Sequence, residues 1–191
     1  MLFSLSVPLY SDDATYVELV QIGRRTWVHK SYETINGYRT DSNGMVVDYP
    51  NGIILVDTCW NDTQTQSLLN RIDIQFNKPI LLAIITHAHD DRIGGIRTLL
   101  RKKIKVVSTP LTKQKAMSAG YPAPQAELDT SVTKLVYDEY TVETYYPGPG
   151  HTEDNITVWI PSDRILFGGC LIKSMQAKNL GNIADANVAE W

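Results

Sequence analysis

The residues with the clearest chemical potential lie in Thr86-His87-Ala88-His89-Asp90-Asp91-Arg92-Ile93-Gly94-Gly95. Two of the chain's 4 histidines stand one residue apart there, and Asp91 follows two residues later. Neutral imidazole and carboxylate are standard zinc ligands. In an extended loop, side chains at i and i+2 point the same way. His87 and His89 can therefore address one ion together, with Asp91 next on that face. Taken alone, the stretch also suits a helix-capping aspartate beside two surface histidines.

The second half of the chain adds to this set. Pro147-Gly148-Pro149-Gly150-His151-Thr152-Glu153-Asp154-Asn155 places a third histidine in a glycine-rich turn. Glycine lets a backbone pass close to something bulky, such as a metal site. Gly168-Gly169-Cys170 repeats the arrangement of strand, glycines and ligand candidate. Each candidate follows a strand and sits in a loop, so all five groups converge if the strand ends share one sheet edge. His29 lies inside a strand candidate with no ligand-like neighbour and reads as structural. Cys59 ends an apolar strand with nothing pairing it to the histidines, and reads as a small packing residue.

Alternating strands and helices must position these loops. Strand patterns cover Tyr16–Ile22, Arg25–Tyr32 and Asn43–Val47, with Asn36-Gly37 as a hairpin dipeptide. Gly52–Asp57 and Pro79–Thr86 are continuous apolar runs, which predicts strands buried on both faces. Helices are predicted over Asp62–Phe76, capped by Asp62, over Asp91–Lys102, and over Thr112–Ala119. Ile104–Ser108, Tyr140–Tyr146, Asn155–Ile160 and Ile165–Gly168 are further strands, and Leu180–Trp191 begins a helix that stops early. This order predicts layered sheets covered by helices.

Composition sets the outer bounds. The 191 residues can bury one substantial core, and 43% hydrophobic with 20% charged residues is ordinary for a globular protein. A net charge of −3 argues against a nucleic-acid footprint. The longest unbroken apolar run, Ile80–Ile85, is too short to span a bilayer. The N-terminal MLFSLSVPLYSDD has no basic n-region or small-residue cleavage site, so no intact signal peptide is expected there. Two cysteines are too few for a disulfide scaffold, although a single Cys59–Cys170 bridge is open on sequence grounds. Ser4, Ser118 and the other serines lack the Ser-x-x-Lys context of a serine hydrolase beside these ligands.

HAHDDR, GHTEDN and GGCLIKS, in that order, resemble the metallo-β-lactamase superfamily, and within it the subclass B1 zinc β-lactamases. The similarity runs from about Tyr16 to Trp191. Glyoxalase II and related thioesterases or lactonases carry a histidine directly after the motif aspartate. Here Arg92 stands in that place, and Cys170 supplies what B1 enzymes use instead.

The resemblance implies an α/β fold, an αββα sandwich with metals at one edge of its two sheets. It implies one domain over residues 1–191, with halves of about 1–110 and 111–191. His87, His89 and His151 would hold the first of two Zn2+ ions, and Asp91 and Cys170 the second. Arg92 would position Asp91 and Cys170 from behind. Lys173 would pair with the carboxylate of a β-lactam, and Asn182 would polarise the lactam carbonyl. The hairpin Thr34–Thr40 would be a mobile flap. The implied activity is hydrolysis of the β-lactam amide bond in penicillins, cephalosporins and carbapenems by a metal-bound hydroxide, oriented by Asp91. That is an antibiotic-resistance function. The implied setting is a monomer in the periplasm or secreted, with a small-molecule substrate and neither nucleic acid nor membrane as partner.

One family element is not found before Trp191. B1 members continue with a helix, a strand and a Gly-His-Gly turn whose histidine completes the second zinc site, whereas no histidine follows His151 here. The expectation is a C-terminally short member, without that helix and strand, whose second zinc lacks its third protein ligand and binds weakly. Two alternatives stand beside the hydrolase. One is a truncated zinc-binding domain with little activity. The other is a thioesterase or lactonase, against which Arg92 and Cys170 argue.

Overall fold

Side chains alternate between the two faces of a strand, and in this molecule one sheet is apolar on both. In the computed structural model, which describes residues 15–191, that sheet contains Val17–Gln21 (β1), Thr26–Ile35 (β2), Tyr38–Tyr49 (β3), Gly52–Val56 (β4), Ile80–Ile84 (β5), Val106–Ser108 (β6) and Gln125–Ala126 (β7), in that spatial order. The N-terminal stretch read for a signal peptide, with Ser4, lies outside the described residues. β1 to β4 pair antiparallel, and β4 to β7 pair parallel. The second sheet has four antiparallel strands, Val132–Tyr137 (β8), Tyr140–Tyr145 (β9), Thr157–Ile160 (β10) and Ile165–Phe167 (β11), in the order β11-β10-β9-β8.

Two cores follow from the alternation. Val46, Ile53 and Leu55 pack with Leu68, Ile72, Ile96 and Leu99 of the helices. Met45, Val47, Ile54, Val56 and Ile84 pack with Val142, Val158 and Ile160 of the second sheet. β4 serves both cores and is buried along its whole length, which is why its sequence is one unbroken apolar run. Each such side chain contributes roughly 1.5–3 kcal/mol of burial free energy.

Four helices connect the strands: Asp62–Phe76 (α1), Asp90–Ile93 (α2), Ile96–Arg101 (α3) and Pro110–Ser118 (α4). They cover the outer face of the first sheet. The two facing sheets with this helical cover give the expected α/β sandwich. Among the described residues no helix covers the outer face of the second sheet, where Val132, Val136, Tyr145 and Leu166 are exposed. No described helix is long and apolar enough to cross a membrane.

Four local expectations are corrected. The bounds of α1 are those predicted, but its cap is Asn61, whose Oδ1 accepts from the Gln64 N–H at 2.9 Å. The Asp62 carboxylate instead accepts from the Thr98 backbone N–H and hydroxyl, both at 2.8 Å, and so ties α1 to α3. The helix expected over Asp91–Lys102 is broken at Gly94-Gly95 into α2 and α3. A Cβ at Gly94 would overlap the Trp60 carbonyl, and one at Gly95 would overlap the Thr65 hydroxyl. The break lets this backbone press directly on the segment that starts α1. α4 begins at Pro110, with Thr109 as its cap accepting from Thr112 N–H at 3.1 Å. Leu180–Trp191 forms turns rather than a helix, because Asn179 and Asn182 side chains take the N–H groups of Gly181 and Ala184.

The hairpin joining β2 and β3 turns through Asn36 and Gly37, at φ 52° and 80°. Two consecutive left-handed residues make the tight turn that the Asn-Gly dipeptide predicts. Below it, His29 is buried as expected of a structural residue. Its Nε2 lies 3.2 and 3.3 Å from the carbonyls of Val56 and Asp57. Burial pushes its pKa down to about 4, against the pull of those two carbonyls. The folded state therefore favours neutral His29. Its contribution is fully present above the unfolded pKa of about 6.5 and is lost as pH falls toward about 4. The His29 share of the loss across that interval is on the order of 3 kcal/mol, read as the difference in the pH dependence of urea unfolding between the unaltered chain and a His29 variant. In His29→Gln that slope should flatten.

Candidate metal centre

The site sits where the ends of both sheets meet. His87, His89 and Asp91 follow β5, His151 lies in the loop between β9 and β10, and Cys170 lies in the short 3-10 turn Gly169–Leu171 after β11. The sequence thus spreads five donors over two halves of the chain, and the packing of sheet on sheet brings them together.

Three imidazoles form the first group. Ring centroids of His87, His89 and His151 are 4.8, 5.0 and 5.0 Å apart, with the planes close to perpendicular. Their donor nitrogens lie within 4.8 Å of one another. His89 Nδ1 is 3.2 Å from His151 Nε2. Burial drives the His87 pKa well below the ordinary histidine value, and Arg92, His89 and His151 add to this. Burial likewise brings His151 down to about 4. Neutral imidazoles keep a lone pair free for a metal. Most telling is His87 Nε2, which is buried and has no hydrogen-bond partner among the described residues. Such an orphaned polar atom is costly unless something else occupies the centre of the triad. The donor set therefore fits zinc.

The second group contains Asp91 and Cys170, with His87 again within 4.8 Å of both donor atoms. The Cys170 thiol donates to Asp91 Oδ2 at 3.2 Å, and Arg92 Nη2 donates to Cys170 Sγ at 2.9 Å. Burial pushes the thiol up to about 11, with Arg92 opposing. A metal would reverse this, since a coordinating thiol is deprotonated outright. Among the described residues, the third donor grouped with Asp91 and Cys170 is His87, which also belongs to the first group.

Arg92 is buried behind both donors. Its guanidinium reaches Asp91 Oδ2 at 3.1 Å, Asp57 Oδ2 at 3.5 Å, and the Asn43 carbonyl. Burial opposes its charge, but Asp91, Cys170 and Asp57 outweigh that and raise its pKa. Asp57 also accepts from the Thr86 N–H and hydroxyl, both at 2.8 Å, and so fixes the start of the histidine loop. Burial raises the Asp57 pKa to about 7 although Arg92 and Thr86 pull it down.

Three carboxylates that sequence reasoning did not assign support the donors. Asp57 is one. Asp154 accepts from Ala88 N–H at 3.0 Å and Thr152 hydroxyl at 2.8 Å, joining the two histidine loops across the sheets. Asp185 Oδ2 lies 3.0 Å from His89 Nε2. Asp154 stood in the quoted GHTEDN motif, and Asp57 ended a predicted strand. Both were visible as polar groups next to apolar runs. Asp185 gave no such signal.

His89, Asp91, His151 and Cys170 line a groove of about 790 Å³, together with Ile35, Asn43, Trp60, Lys173 and Asn182 among others, while His87 is buried out of it. Ile35 brings the β2–β3 hairpin to its rim. Lys173 Nζ stands 5.1 Å over the Trp191 ring. Asn182 Oδ1 accepts from Ala184 N–H at 3.1 Å. Cys59 lies in the core, where burial lifts its thiol to about 12, and neither cysteine is in a disulfide.

Comparison with known proteins agrees with this geometry. Residues 37–182 match the metallo-beta-lactamase superfamily. A metallo-beta-lactamase type 2 of Bacillus sp. (strain 170) is 47% identical over 175 residues, which are 92% of this chain and 68% of that protein. The solved metallo-beta-lactamase of Pontibacter korlensis superimposes with a TM-score of 0.86 at 38% identity, over 90% of this chain and 80% of that one. The Pseudomonas aeruginosa enzyme FIM-1, solved in its mono-zinc form, gives 0.82 at 36% identity, over 90% of this chain and 76% of its own. The two-sheet sandwich, the three-histidine cluster at its edge and these similarities together make the chain a member of the metallo-β-lactamase superfamily.

Proposed function

We propose that the chain hydrolyses the amide bond of β-lactams, with zinc held by His87, His89 and His151 and a second, weaker zinc by Asp91 and Cys170. The observation that carries this reading is the orphaned, buried Nε2 of His87 in a cluster with His89 and His151, which themselves line an open groove. Zinc at these residues supplies a Lewis acid and lowers the pKa of coordinated water from ~16 to about 7.

The chain's own residues do the rest. Neutral His87 and His151 offer lone pairs and keep their own positive charge out of the site. Asp91, fixed by Arg92 and Cys170, orients the attacking water by accepting a hydrogen bond from it. Asn182 has its amide oxygen committed to Ala184, which leaves the amide N–H groups to donate to the lactam carbonyl as negative charge develops there. Lys173 binds the carboxylate that penicillins, cephalosporins and carbapenems all carry. The β2–β3 hairpin closes over the ring and excludes water. Arg92, in the position where the thioesterase and lactonase branches carry a histidine, favours the β-lactam reading over those activities.

Two tests follow. The purified chain, given zinc, should hydrolyse a chromogenic cephalosporin, and a chelator should return the rate to background. A folded, zinc-loaded chain without turnover would instead mark a silent zinc-binding domain. In Cys170→Ser, zinc affinity at the second site should fall at least tenfold while the first stays nearly intact. Unchanged binding of two zincs in that variant would remove Cys170 from the ligand set.

A further inference from the structure

We propose that Trp191 is a positioning residue for the substrate: the face of its indole holds the Lys173 ammonium at the groove and leaves its charge free for a carboxylate. The inference rests on the reading of Lys173 as the residue that meets the carboxylate of a β-lactam. Lys173 Nζ stands 5.1 Å over the centroid of the Trp191 ring, within the reach of a cation–π contact. Among the described residues the ammonium has no hydrogen-bond partner and no carboxylate in ion-pair range, so the ring is the group that orients it. A carboxylate in that role would take up N–H donors and compete with the substrate. A π face attracts the charge and consumes no donor.

A lysine needs such a partner, because its flexible four-carbon stem lets the end of the side chain sweep a wide arc. Lys173 is half-buried in the wall of the groove. A Cβ built at Gly181 would stand 3.8 Å from Nζ, so the turn that carries Asn182 flanks the ammonium as well. Trp191 is itself fixed. Its Nε1 donates to the Leu171 carbonyl at 2.7 Å, two residues before Lys173, which ties the indole to the segment whose lysine it holds. Its ring also packs edge-on against His151, with centroids 5.2 Å apart. The Asn187 N–H donates to the Gly150 carbonyl at 2.8 Å and the Glu190 N–H to the Asn187 carbonyl at 3.1 Å, which brings the segment back beside His151. Lys173 and the histidine cluster thus share one rigid neighbour. The place of the ammonium relative to the cluster is set before substrate arrives, and a substrate anchored by its carboxylate meets the cluster in one orientation.

The experiment uses the full zinc-loaded chain with Trp191→Leu, Trp191→Phe and Lys173→Ala. The Hε proton signals of Lys173, assigned by their absence in Lys173→Ala, report the contact without turnover. The indole ring current should move them upfield of ordinary lysine signals, and Trp191→Leu should return them. Kinetics are compared for a chromogenic cephalosporin as the free acid and as its carboxyl methyl ester. In Trp191→Leu the KM of the acid should rise roughly 3–10-fold, with the KM of the ester unmoved and kcat changed less than KM. Trp191→Phe, which keeps a π face, should recover most of the acid's KM. Ordinary Hε shifts in the unaltered chain would overturn the proposal. So would equal losses for acid and ester in Trp191→Leu, or a loss in kcat alone, since either would mark Trp191 as packing for His151 only. If Trp191→Leu does not fold, the Hε shifts of the unaltered chain decide. An unchanged KM for the acid in Lys173→Ala would instead sink the reading of Lys173 itself.

Discussion

A buried guanidinium must be paired, and Arg92 meets that requirement by drawing four segments of chain together. Asp57 comes from the end of β4, the Asn43 carbonyl from β3, Asp91 from the same short helix, and Cys170 from beyond β11. An uncompensated charge at this depth would cost several kcal/mol, so the loops are held wherever Arg92 can reach them. The two donors of the second group, one from each half of the chain, owe their proximity to this residue. The histidine loop is fixed by the same cluster through Asp57 and Thr86.

The first group depends on a different physical fact. Neutral histidines can be buried side by side, whereas charged ones cannot. Burial keeps His87 and His151 neutral, and the proximity of three rings reinforces it. Asp154 locks the two histidine loops together with the backbone N–H of Ala88 and the hydroxyl of Thr152. The apolar sheets beneath contribute rigidity. β4 and β5 cannot shift without disturbing both cores, so the loops at their ends start from fixed points.

Much of this was legible in the sequence because the candidate ligands come in short local motifs. His87, His89 and Asp91 lie within five residues, and their i, i+2 spacing already implies a shared face. Apolar runs placed β4 and β5, and the bounds of α1 agree with its predicted span. What was not legible depends on contacts distant in sequence. The split between α2 and α3 arises because Trp60 and Thr65 press on Gly94 and Gly95. Asp57, Asp154 and Asp185 touch residues 29, 66 and 96 positions away. An aspartate's role there is set by what folding brings beside it, which local pattern does not encode. The likeness of the motifs to a known family supplied the candidate ligands. It did not reveal that His87 stands within 4.8 Å of the other donors in both groups.

Two adjacent donor sets share His87, and Arg92 braces the second of them; the proposal is that both bind zinc beside the groove. Anomalous diffraction at the zinc edge, from crystals of the chain with one and then two equivalents of zinc, tests it most directly. The predicted first peak lies among His87, His89 and His151, and a weaker second peak lies between Asp91 and Cys170. A first peak at any other residues, or no ordered zinc in the groove at either loading, would contradict it.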